Sequence, residues 1–79
     1  SQYDYIDYGT SVQVDLYSHN SGAIILAVYD KNTNEMKKVA IGCEKGTITV
    51  DTAADDIVKL MQWDGIQTMR PVAEPIVIR

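Results

Sequence analysis

Three small sets of side chains in this 79-residue sequence could do chemistry, and each has a plainer structural account beside it. Asp51, Asp55 and Asp56 stand close enough in sequence for a hard cation to find two or three oxygens. Their spacing does not follow the twelve-residue calcium loop, so a solvated loop accounts for them better. Paired-carboxylate glycoside hydrolysis needs two carboxyls about 5–10 Å apart across a cleft, and a domain of this size has no room for one. Cys43 and His19 offer a nucleophile and a base, but a triad needs both brought together with an acid. Each falls in a predicted loop with nothing to bring them together. Cys43 is expected as a half-buried small residue and His19 as a turn residue. One Cys and one His cannot supply the four ligands of a structural zinc site. No cofactor, metal or catalytic residue is therefore expected. Gly9, Gly22, Gly42, Gly46 and Gly65 are spread singly among turns, so no phosphate-binding glycine loop is present.

The aromatic side chains are the remaining candidates. An exposed Trp63 could stack on the apolar face of a pyranose. A lone Trp in a small domain contributes more as buried area, so Trp63 is expected in the core. Tyr3, Tyr5, Tyr8 and Tyr17 could line a sugar-binding platform on one sheet; otherwise they cover the core edge with their hydroxyls in water. Tyr29 ends the most apolar run and is expected to pack in or beside the core.

Composition bounds what these residues serve. The chain is 46% hydrophobic and 23% charged, with five Tyr, one Trp and no Phe. Its length makes one domain, residues 1–79, burying about 60–65% of its unfolded surface, with no disulfide to supplement the packing. The net charge of −4 argues against nucleic acid, whose phosphates need a basic face, and against anionic membrane surfaces. No apolar run approaches membrane-spanning length. No signal peptide is recognisable, and the sequence opens at Ser1 without Met. It is therefore expected to be a segment excised from a larger protein.

The elements that must position these side chains read as strands. Residues Tyr3–Tyr8 carry two acids, as an edge strand does. Ser11–Ser18 alternates with period two: Val12, Val14 and Leu16 on one side, Gln13, Asp15 and Tyr17 on the other. After the turn residues His19-Asn20-Ser21-Gly22, the run Gly22–Asp30 is almost continuously apolar, the pattern of a central strand covered on both faces. Glu35–Ile41, Thr47–Val50, Ile57–Trp63 and Val72–Ile78 complete seven predicted strands. A helical first turn over Asp51–Asp56 is possible, but Ile57 and Val58 follow at once and favour strand. Pro75 restricts the last strand to an edge.

The residues Ala27-x-Tyr29-Asp30, followed by Trp63-Asp64 and then Met69-Arg70-Pro71, are similar to the marks of a small module of secreted multidomain proteins from anaerobic Gram-positive bacteria. That module resembles fibronectin type III and immunoglobulin-like sandwiches. The likeness runs from Gly22 onward. Gln62 stands where the family commonly has a large apolar residue, so the likeness does not say which face of its strand is buried. The resemblance implies an all-β, seven-stranded antiparallel sandwich, with strands one, two and five facing strands three, four, six and seven. It implies a secreted or cell-surface, non-catalytic accessory role, spacing or stabilising neighbouring domains. The alternative is a carbohydrate-binding module taking polysaccharide on its exposed Tyr and Trp. The expected core is Val12, Val14, Leu16, Ile25, Ala27, Tyr29, Val39, Ile48, Val50, Val58, Leu60, Trp63 and Ile76.

Overall fold

The structure, a computed structural model, describes residues 3–17 and 22–79. His19 lies outside the described residues. None of the described residues is helical, so the helical option at Asp51–Asp56 gives way to a turn. Seven strands follow in order: β1 (Tyr3–Asp7), β2 (Ser11–Leu16), β3 (Ala23–Tyr29), β4 (Met36–Gly42), β5 (Gly46–Asp51), β6 (Ile57–Trp63) and β7 (Ile76–Val77). They form two sheets, ordered β1-β2-β5 and β4-β3-β6-β7, with every pairing antiparallel. This is the expected division of strands, arranged as a two-layer β-sandwich. The seventh strand is far shorter than the predicted Val72–Ile78. It lies on the sheet edge just after Pro75, where a residue without an N–H is tolerated.

Cross-strand partners share a face, and successive residues alternate faces. In the three-stranded sheet the buried set is therefore Val12, Val14 and Leu16 on β2, opposite Val50, Ile48 and Gly46 on β5. In the four-stranded sheet the inward set is Ile24, Leu26 and Val28 on β3 with Val58 and Leu60 on β6. Both sets form one core, with Tyr3, Ala40, Ile48 and Ile78 packed at its margin.

That parity corrects several expectations. Ile25 and Ala27 are buried, as expected, but they point away from the core, on the outer side of β3. Their neighbours Ile24, Leu26 and Val28 do the core packing. Tyr29 and Trp63 are half-buried on that same outer side, not in the core. Val39, paired with Ala27, is 48% exposed, and Ile76 on the two-residue edge strand is 37% exposed. Period two cannot choose a face in β3, where both sets of alternate residues are apolar.

Two glycines stand at close approaches, one against side chains and one against backbone. The chain leaves the four-stranded sheet at Gly42, where a Cβ would stand 2.6 Å from Leu16 Cδ1 and 3.1 Å from Ile48 Cγ2. At Gly22 a Cβ would meet the Trp63 carbonyl oxygen at 2.5 Å, a backbone atom that cannot swing aside.

The sheets are laced at one end by Arg79. Its Nη1 donates to the carbonyls of Ala53 (3.1 Å) and Ala54 (3.0 Å), and its Nη2 to the Gly9 carbonyl at 2.8 Å and to Thr52 Oγ1. Its Nε lies 3.2 Å from Asp7 Oδ2 but makes no directed hydrogen bond there. One guanidinium thus ties the β1–β2 turn, the β5–β6 connection and the chain following β7. The fork of donors is what permits this, since a lysine presents only a point charge.

Candidate interaction face

The acids singled out above serve turns. Asp56 is buried between β5 and β6. Its Oδ1 accepts from Lys37 Nζ at 2.8 Å and its Oδ2 from the Ala53 amide at 2.8 Å. The Lys37 bond, then the Ala53 amide, hold its carboxyl below the usual range. Asp51 and Asp55 are exposed, and among the described residues no group of three or more His, Cys, Asp or Glu is placed to hold a metal ion. Cys43 is exposed rather than half-buried. It lies in the turn between β4 and β5, beside a shallow, open hollow of about 260 Å³ lined by that turn.

The motif residues Asp30 and Asp64 prove to be loop anchors. Asp30 Oδ1 accepts from the amides of Asn32 (2.8 Å) and Thr33 (3.0 Å), closing the β3–β4 loop, and these bonds lower its pKa. Asp64 accepts from the Thr68 hydroxyl, which chiefly lowers its pKa, and from the Arg70 amide at 3.2 Å. Its own amide donates to the Arg70 carbonyl at 2.8 Å, and Trp63 bridges to Pro71. A carboxylate just past a strand end is well suited to this work, because loop amides there lack ladder partners.

The tyrosines do not share a face. Tyr3 and Tyr5 pair with Leu16 and Val14 and so lean to the core side of β1. Tyr3 packs against the core, and burial there, with Tyr5 beside it, raises its pKa. Tyr17 is exposed and donates to the Asp4 carboxylate, a bond that raises its pKa. Asp4 belongs to the opposite, outer side of β1. Tyr8 stands exposed at the β1–β2 turn. A flat stacking platform is therefore not assembled from Tyr3, Tyr5, Tyr8 and Tyr17.

The feature that sequence reading missed is the outer face of the four-stranded sheet. By register its middle row is Ile41–Ile25–Met61. One row toward the start of β6 lies Val39–Ala27–Lys59–Val77, and one row the other way lies Ala23–Trp63. Tyr29 pairs with both Met36 and Ile57 at the far end. Lys59 is the single charge among these positions, and its ammonium sits 5.2 Å from the centre of the Tyr29 ring. No acid stands in any of these rows. Val39, Ile41 and Val77 are 48%, 45% and 62% exposed, and Met36 is exposed as well.

The outer face of the three-stranded sheet is its opposite in chemistry. Asp4, Ile6, Ser11, Gln13, Asp15, Thr47, Thr49 and Asp51 occupy it. Asp15 accepts from Gln13 Nε2 (3.1 Å) and Thr47 Oγ1 (2.9 Å), a solvated polar network. An antiparallel sheet facing water shows such alternation of apolar and polar sides. β3 instead is buried on both sides, although among the described residues no third sheet or helix lies over the second side. The signal was in the sequence: the unbroken run AIILAVY, with Val39, Ile41, Met61 and Trp63 at matching parity.

No protein-family model, curated protein or solved structure matches the chain.

Proposed function

We propose that this chain is a non-catalytic interaction module, immunoglobulin-like or fibronectin III-like, that docks against and orients neighbouring domains of a larger secreted bacterial protein. The observation that carries the reading is the outer face of the β4-β3-β6-β7 sheet. A contiguous apolar surface on a small domain is a liability unless something covers it. The division into three and four strands supports the immunoglobulin-like or fibronectin III-like type. The secreted, bacterial setting rests on the Ala27–Asp30 and Trp63–Pro71 motifs. The non-catalytic reading is supported by the employment of Asp30, Asp56 and Asp64 in holding turns and by the place of Cys43 at the end of the sheet opposite Asp30 and Asp56.

Carbene footprinting at low micromolar concentration tests this. The chain would be labelled alone and within the polypeptide that contains it. Protection of Val39, Ile41, Met61 and Val77 in the longer protein is expected. Equal labelling in both would defeat the reading.

A further inference from the structure

We propose that the free edge of β1 takes up an extended, basic segment of another protein as a fourth strand of the β1-β2-β5 sheet. This site lies on the other sheet from the apolar outer face and is independent of it.

The Tyr8 amide donates to the Ser11 carbonyl at 2.8 Å across the Gly9-Thr10 turn. In an antiparallel pair, residues bonded to the partner alternate with residues whose N–H and C=O point away from it. Counting back from Tyr8 through the register Ile6↔Gln13 and Asp4↔Asp15, the groups of Ile6 and Asp4 face β2, and those of Tyr5 and Asp7 face outward. Among the described residues no backbone group bonds to the outward N–H and C=O of Tyr5 and Asp7. Donor and acceptor pairs spaced two residues apart along a strand are the complement of another extended backbone.

Each of the other borders is obstructed. β7 is two residues long and follows Pro75, and Pro71 occupies the neighbouring bridge to Trp63. The pairing of β4 with β3 is bulged. On β5 the Asp51 carbonyl accepts from Lys38 Nζ at 3.1 Å. β1 keeps an unbroken register with β2 over five residues, with no proline or lysine among them.

Beneath this edge the sandwich is open. β4 and β5 share one long side, where that Lys38 bond crosses between the sheets. β1 and β7 share the other, where Arg79 Nε lies 3.2 Å from Asp7 Oδ2. Tyr5 pairs with buried Val14 and Ile76 with buried Leu60, so both side chains turn to the core side. Yet Tyr5 is 43% exposed and Ile76 37%, because β7 ends after two residues. An added strand sets every second side chain beside Tyr5 in this seam, where small apolar residues such as Val fit.

The remaining side chains of that strand lie beside Asp4 and Ile6. The paired positions on the outer face of this sheet include Asp4, Asp15 and Asp51 and no Lys or Arg, in a chain of net charge −4. Opposite charges across neighbouring strands stabilise the pairing and like charges oppose it. The segment that fits therefore alternates apolar and basic residues.

Amide hydrogen exchange of the full chain, read residue by residue by NMR, tests this with a blocked peptide of alternating Lys and Val. In the chain alone the Tyr5 and Asp7 amides should exchange fast and that of Ile6 slowly. Peptide at up to about 1 mM, the weak range of so small an interface, should slow Tyr5 and Asp7 at least roughly tenfold. Two N-methylated peptides separate strand addition from attraction by charge. Alternate amides of a strand face opposite sides, so methylation of the Val amides and of the Lys amides should give affinities at least roughly tenfold apart. Asp4→Asn should weaken binding about threefold, and Ile41→Glu should leave it unchanged. Tyr5 and Asp7 amides that stay fast, equal binding of the two methylated peptides, or protection of Thr47 and Thr49 instead would each overturn the proposal. Loss of binding on Ile41→Glu overturns it as well, and assigns the peptide to the apolar face of the other sheet.

Discussion

Lys37 reaches out of the edge strand β4 to place its ammonium 2.8 Å from Asp56 Oδ1, a carboxylate that the β5–β6 turn has taken out of water. The bond is charge-assisted, and the second carboxylate oxygen is satisfied by the Ala53 amide. The residue pairing that ties the β3–β4 hairpin to the start of β6 is thus polar and local.

Its consequence is a defined pH dependence. The carboxyls of Asp56, Asp30 and Asp64 are all lowered from an ordinary value of 3.8. A depressed folded-state pKa contributes stability that is fully present above the unfolded value and is lost as pH falls through the folded one. Urea midpoints should therefore be level from neutral pH down to about 4.5 and fall steeply below about pH 4. In Asp56→Asn the midpoint at neutral pH should be lower and the acid slope shallower. An unchanged acid slope would remove Asp56 from this account.

Deleting side-chain volume should distinguish the two sides of the four-stranded sheet. Leu60→Ala opens a cavity in the core between the sheets and is expected to cost about 2–5 kcal/mol. Ile41→Glu, at a 45% exposed position, should change monomer stability by no more than about 0.5 kcal/mol. Chemical denaturation at low protein concentration measures both. Comparable losses at the two sites would mean that the parity of the sheet is the reverse of that described.

Gly22→Ala should be costly for a backbone reason. Its new methyl would press on the Trp63 carbonyl, and separating the β3 and β6 ends is expected to cost about 1–3 kcal/mol. Thermal denaturation would show it, with Gly65→Ala, whose nearest contact is a Thr68 hydroxyl at 3.3 Å, as the milder comparison.

Met69→Gly should go the other way. Met69 is 58% exposed and holds a φ of 54°, the left-handed region. Relief of that conformation is worth about 1–2 kcal/mol, offset in part by the greater chain entropy of Gly. A net gain of up to about 1 kcal/mol is expected, with the Met69 amide still donating to the Gly65 carbonyl. A loss instead would show that the Met69 side chain packs in solution.

Arg79→Lys keeps the charge and loses the fork. Since the guanidinium serves three carbonyls and the Thr52 hydroxyl at once, the substitution should cost about 1–3 kcal/mol. Equal stability of Arg79→Lys and the parent chain would show that charge alone suffices.

Strand positions were legible because turn residues punctuate this chain at short intervals and because Val12, Val14 and Leu16 alternate cleanly. The grouping of strands into two sheets was also legible, though only through likeness to a known module. Burial was not legible on β3 and β6. In AIILAVY every residue is apolar, and on β6 the indole of Trp63 argued for one side while Val58 and Leu60 argued for the other. Parity settles it: Trp63 goes with Lys59 and Met61, and Gln62 with Val58 and Leu60. The outer apolar face went unseen for the same reason, since Ile25, Ala27, Tyr29, Val39 and Trp63 were all expected in the core. Arg79 was silent in the sequence, because a single arginine past the last strand has no local pattern to reveal that it will be clamped between loops.

The irregularity between Val28 and Tyr29, where the register with β4 slips, bears on what a sheet with so apolar a side can avoid. A bulge kinks and twists the border of a sheet, and Lys37 and Lys38 sit beside this one. An incoming strand finds a bent rim instead of a straight row of open amides. Growth into fibrils by strand addition is thereby discouraged at β4, so whatever meets this sheet is steered toward its flank and away from that border.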